Sequence, residues 1–541
     1  MKKRLLACLL AVCLLCLGLT GCGDDGTGKG FRFPIDREPV SLDPQTATDT
    51  ASITVLCAMF EGLAQLDEDG NAISGAAEWY VSKDGLTYTF TIKETATWSV
   101  LSGEENALWN QPTPVTADDF LFGIQRILDP ANQSGLAAEL YGIKNAKAVH
   151  QGQTTLDYLG VQVLDDRHLV ITLEAADPSF PEKLATSPFF PCNRTFFEHT
   201  AGRYGLEEQY VLGNGAFRLT AWNHDENLLL YKNEDYRAAE EILPEAVRFV
   251  IGTDDPVEAL EKGDLDATLI PADRKEEVVG SVMPLKDTIR SLYFNTTAAP
   301  LTTAFARQGL RDSIEWISLF QYLETLTEAP EKPASGYVAP DATVGGKAYT
   351  YTASGRYQTR LESARQNWKE GMRRLYPDGN GKPQLELLAA DDPASTEIAQ
   401  YVVQSWQRNL EIYPTLTLLP QAELEQRMKA GNYQAAILSV TPSGLTAGEN
   451  LQSFNSRSPD NLSRFKDTGI DKYITAAVSG DAGDVAALEE QLWTLCPSIP
   501  ISYPTRYYGI AENVSGVTVH PFGGGRYRAP MDFYSALKYD D

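Results

Sequence analysis

A chain of 541 residues with 73 acidic against 46 basic side chains and a formal charge of −27 has no positive footprint for a nucleic-acid partner. Seven scattered cysteines exclude a disulfide-dense scaffold. Roughly 510 residues remain once the leader is set aside, too many for one core, and they predict two or three lobes.

Lys2, Lys3 and Arg4 precede an apolar run over 5–20, which is short for a membrane span and reads as a secretory leader. Leu19-Thr20-Gly21-Cys22 closes that run and resembles the lipobox of bacterial lipoproteins. The resemblance implies cleavage after residue 21 and acylation of Cys22, whose buried methylenes would hold the protein at the membrane. An ordinary leader with an incidental cysteine is the plainer alternative. Residues 23–30, GDDGTGKG, are small and polar and read as a flexible tether. Cys8, Cys13 and Cys16 depart with the leader. Cys57, Cys192 and Cys496 are expected to pack as small apolar residues, with one disulfide among them left open.

Along the body, 79–92 (WYVSKDGLTYTFTI) predicts a hairpin turning at Lys83-Asp84-Gly85. Thr116 followed by Asp118 and Asp119 predicts a helix start, and Asp129-Pro130 its stop. Residues 161–173 read as a strand pair about Asp165-Asp166. Residues 228–232 read as a strand after the Gly213-Asn214-Gly215 corner, and 256–262 as a short helix ending at Gly263. Ile398, Val402, Trp406 and Leu410 place one apolar face on a helix over 395–410; 422–429 and 484–495 read as further helices. The pattern is mixed α/β with long connections rather than regularly alternating.

Enzyme signatures are absent: the sequence has no HExxH, GxxxxGK[ST] or GxSxG, and its five histidines are unpaired at metal-ligand spacing. No cofactor or metal is expected. Asp67-Glu68-Asp69-Gly70-Asn71 with Glu78 mimics a calcium loop, but Ala72 stands where that loop needs glycine, so a hairpin turn is expected. The run 378–382 carries Lys382, which opposes a cation, and reads the same way.

The residues themselves resemble a family. Glu38-Pro39-Val40-Ser41-Leu42-Asp43-Pro44-Gln45 and Met59-Phe60-Glu61-Gly62-Leu63 resemble the opening of the oligopeptide- and dipeptide-binding proteins of ABC transporters. So do Ala77-Glu78-Trp79, Lys83 to Phe90, Trp98-Ser99 and Pro114 to Phe120. Asn214 to Leu219, Asn233-Glu234-Asp235-Tyr236, Gly263-Asp264-Leu265-Asp266 and Tyr293-Phe294-Asn295-Thr296 follow in the family's order. The resemblance implies a two-lobed clam-shell α/β fold, periplasmic-binding-protein-like. Its first lobe would be 31–290 with 500–541, carrying a subdomain at about 72–195, and its second lobe 291–499. It implies a monomer at the outer face of the membrane that closes on a short peptide by hinge motion and delivers it to permease subunits.

A receptor for many peptides must grip what they share, the backbone and the termini. By position, Thr48, Asp49 and Thr50 from the first lobe and Ser439, Val440, Thr441 and Ser443 from the second are the expected ligand contacts, each group as a strand edge. Where the family carries an aspartate for the ligand amine, this chain has Ser443; Val440 replaces the family's tryptophan, and Pro442 removes a backbone donor. Asp49 is the expected substitute for that aspartate. Three other readings stay open: a non-peptide solute such as an oligosaccharide or metal chelate, a sensory lipoprotein, and a secreted hydrolase.

Overall fold

The computed structural model describes residues 30–67, 70–325, 331–351, 355–379 and 383–539. Cys22 and residues 23–29 of the tether lie outside the described residues, as does the 380–382 part of the second calcium-like run.

The first lobe contains a four-stranded sheet in the order Phe31–Ile35, Ala246–Ile251, Asn227–Lys232, Phe217–Asn223. A three-stranded antiparallel sheet holds Arg506–Ile510 between Ala267–Ile270 and Ser281–Leu285. A second four-stranded sheet runs Ala77–Val81, Thr87–Ile92, His168–Thr172, Val161–Asp165. The hairpin expected over 79–92 forms its first two strands. Tyr88, Phe90 and Ile92 are buried, while the threonines between them are half-buried, as period-two alternation demands. The helix Ala117–Leu128 crosses this sheet and buries Phe120, Ile124, Ile127 and Leu128; Thr116 and Asp119 form its capping box. Asp67 turns the short hairpin Ala64–Leu66 to Ala72–Ser74, accepting the Asn71 backbone N–H at 2.8 Å. The expected subdomain has its own sheet but no core of its own, because one hydrophobic cluster runs from Phe31 through Phe90 and Phe217 to Phe533.

The second lobe is a six-stranded mixed sheet in the order Lys332–Pro333, Ser498–Tyr503, Ile289–Phe294, Ala435–Val440, Glu386–Ala390, Thr415–Leu419. The helix Pro393–Leu410 lays Ile398, Val402 and Trp406 on it, all fully buried. Pro500 is tolerated inside a central strand because the ladder slips there: Arg290 faces Ser502 and Ser291 faces Pro500.

The chain therefore changes lobe over 286–288 and returns over 504–505. The expected boundaries at 290/291 and 499/500 cut through Ile289–Phe294 and Ser498–Tyr503, two strands that the hydrogen-bond ladder places wholly in the second lobe.

Candidate ligand cleft

The motif residues that carried the resemblance hold the first lobe together. Asp43 forks onto Arg126 at 2.9 and 2.7 Å, both side chains at most 10 % exposed. Glu61, 2 % exposed, takes Arg237 at 2.6 Å and the Tyr236 hydroxyl at 2.8 Å, while the Asn214 side chain braces its backbone on both sides. Asp266 accepts the Arg32 N–H at 2.7 Å and Lys538 at 2.9 Å, tying two distant stretches of the chain. These acids are spent on architecture.

Thr48, Asp49 and Thr50 are not a strand edge. Asp49 is the N-cap of the helix Thr50–Met59, and its two oxygens accept the Ser52 N–H at 2.9 Å and the Ser52 hydroxyl at 2.7 Å. The expectation fails for a physical reason. The apolar run after Asp49 is buried on nearly every side, so it lacks the one-sided periodicity that marks a surface helix. Thr48 and Thr50 themselves are exposed.

The second segment does belong to a strand. Ser439 and Val440 end Ala435–Val440, paired on one side with Arg290 and Ile289. On the other side the parallel neighbour is in register only up to Ala389 opposite Ile437, and it ends at Ala390. Ser439 and Val440 therefore have no strand partner on that side, although they lie in an interior strand of the sheet. Thr441 is half-buried, with its hydroxyl 2.8 Å from that of Thr288; Ser443 is exposed.

Sequence reasoning missed what lies between these segments. Residues 520–530 leave the first lobe and cross the junction. Phe522, 4 % exposed, plugs a second-lobe cluster with Ile289, Ala447, Leu451 and Tyr503. Arg526 forks between Glu139 of the first lobe at 3.1 Å and Asp460 of the second at 2.8 Å. Arg528 donates to the Glu182 carbonyl at 2.8 Å, and burial pushes its guanidinium down despite the nearby Glu449 of the second lobe and Glu182 of the first. The Tyr527 carbonyl takes the Ser187 N–H, and Cys57 approaches the same oxygen at 4.0 Å with its thiol pushed up to about 12 by burial, too high for reactivity at neutral pH. Gly523 to Gly525 followed by Arg-Tyr-Arg is the signal that marks this strap in the sequence. Gly523 and Gly525 both have positive φ, 62° and 88°, the region open to glycine.

A cavity of about 210 Å³ opens elsewhere on the second lobe, beside Lys429, Arg464 and Lys466. Arg464 donates to the Lys429 carbonyl at 2.8 Å and so satisfies the C-terminus of the helix Gln421–Ala430. That charge is already used.

Two lobes joined by a double crossover, with a strap and a free strand edge at the junction, define a two-lobed receptor that holds a solute between its halves. Residues 75–461 match the family described as bacterial extracellular solute-binding proteins, family 5 (Middle). The chain belongs to that family, whose members are extracytoplasmic substrate-binding proteins of transport systems rather than enzymes. It is similar to the dipeptide-binding protein DppE of Bacillus subtilis, with 26 % identity covering 90 % of this chain and 89 % of the relative. It is 29 % identical to the oligopeptide-binding protein OppA of the same organism, covering 76 % and 77 %. The solved structure of the murein tripeptide-binding protein MppA of Escherichia coli superposes with a TM-score of 0.72 at 26 % identity, covering 95 % of this chain and 99 % of that one. Among the described residues no helix is long and apolar enough to cross a membrane.

Proposed function

We propose that this protein captures short peptides in an extended conformation between its lobes, without turning them over, and hands them to the permease of an ABC transporter. The observation that carries the reading is the unpartnered side of Ser439 and Val440. A peptide backbone can add there as a further strand, and backbone pairing is indifferent to side-chain identity. The names of the relatives support the ligand class. Thr48, Thr50, Thr441 and Ser443 would complete the contacts. Asp49 enters as the cap that orders Thr48 and Thr50 rather than as the amine partner, since both its oxygens already serve Ser52.

Native mass spectrometry of the purified protein, followed by calorimetry with alanine peptides of two to five residues, tests this. Retained peptide masses and saturable binding are expected. Asp49→Asn keeps a good N-cap residue and should leave the affinity unchanged; a loss of roughly tenfold or more would restore Asp49 as the amine anchor. Retained sugar or metal-chelate masses, with no peptide binding, would overturn the peptide reading.

The mature protein is then a monomer held at the outer face of the membrane through acylated Cys22. Fatty-acid labelling should mark the wild type and spare Cys22→Ala; equal labelling of both removes the anchor.

A further inference from the structure

Asp287 lies in the first crossover, its side chain wholly buried. Three separate pieces of chain meet at its carboxylate. Arg506, the first residue after the return crossover, donates through Nε at 2.9 Å and again through Nη2. Phe522 of the strap donates its backbone N–H at 2.7 Å. The Thr288 hydroxyl lies 3.2 Å away on the same crossover. That hydroxyl is also 2.8 Å from the hydroxyl of Thr441, just beyond the strand end where the sheet loses its neighbour.

One carboxylate thus joins both crossovers and the strap, and a two-hydroxyl relay connects it to the candidate ligand segment. The crossovers are where backbone torsions must change if the lobes move. Phe522 holds φ at 59°, a left-handed value costly for a non-glycine residue, and its N–H is fixed by Asp287. We infer that Asp287 is the hinge pin of this receptor, a positioning residue, and that Thr441 reports the state of the ligand segment to it through Thr288. The part played by ligand rests on the peptide reading; the coupling of Thr441 to the hinge does not.

The test is made without ligand. Spin labels at Leu108→Cys and Ile317→Cys, both 70 % exposed and one on each lobe, report the interlobe distance, since Cys192 and Cys496 are buried and the Cys57 thiol is held protonated. Thr441→Val should shift the ratio of long to short distances by roughly two- to tenfold toward the longer, the range that one neutral hydrogen bond sets. Asp287→Asn should shift it further the same way, and the Thr441→Val/Asp287→Asn double variant no further than Asp287→Asn alone. Should Asp287→Asn not fold, Thr288→Val takes its place, and the Thr288→Val/Thr441→Val double should match either single. A bare change in thermal midpoint with distances unmoved, or additive shifts in the double variant, would overturn the coupling. Failure of peptide binding would leave this ligand-free result standing.

Discussion

Replacing Asp43 by alanine will lower the stability of the first lobe by about 3–5 kcal/mol, the usual result of stripping one partner from a buried ion pair. Arg126 is 10 % exposed, lies 3.9 Å over the Phe197 ring, and donates through Nη1 to Gln45 at 2.7 Å and to the Cys192 sulfur at 3.5 Å as well. Without Asp43 its charge stays, because a guanidinium does not give up its proton, and no other described carboxylate pairs with it. Urea unfolding should therefore show the first-lobe transition moving to lower denaturant with an unchanged slope. The second lobe has two hydrophobic clusters built wholly from its own residues and should unfold where it did before. Asp43→Leu with Arg126→Met should recover much of the loss, since it removes both charges together. A loss under about 1 kcal/mol for Asp43→Ala would mean that the pair is solvated and behaves as a surface bridge.

Asp119 gives the second large effect, and here pH reveals it. The carboxyl is 7 % exposed, and burial pushes it up to about 6, against the opposing pull of the Thr116 N–H at 2.8 Å and the Trp98 indole N–H at 3.2 Å. In the unfolded chain an aspartate titrates near ~4. Between those values the unfolded chain sheds its proton while the folded chain keeps it. The folded state then binds more protons, so its stability falls as pH rises through the window. Asp119→Asn cannot titrate and escapes that fall. The free-energy advantage of wild type over Asp119→Asn should shrink by on the order of 2 kcal/mol from pH 4 to pH 7. A difference that stays constant over that range would show that the buried carboxyl ionises normally.

Local order was legible and long-range order was not. The 79–92 hairpin, the Thr116 cap and the 393–410 helix announce themselves through turn residues, first-turn acids and one-sided apolar spacing, each contained within a short window. The helix Thr50–Met59 was hidden because its surroundings bury it almost completely, though Asp49 and Ser52 are a cap signal in plain view. The pairs Asp43–Arg126, Glu61–Arg237 and Asp287–Arg506 span 83, 176 and 219 positions. No local pattern encodes such a partner. Recognising the family supplied the two-lobed plan, because motif order survives where pair identity cannot be read. It supplied neither the crossover positions nor the strap, whose Arg526 and Arg528 matter only once both lobes are in place.

The position of Arg506–Ile510 bears on how the molecule is made. That strand fills the gap between Ala267–Ile270 and Ser281–Leu285, and Phe533 stacks on Phe31 with ring centres 5.5 Å apart. In a chain synthesised, or threaded through a membrane, N-terminus first, the half that begins earliest is the half that finishes last. All six strands of the other half lie within 289–503, so it can close while its companion still shows two unpaired edges. Anything that delays the arrival of 506–533 prolongs that exposure to proteases and to neighbouring chains. The interval before that return is when a newborn copy is most easily lost.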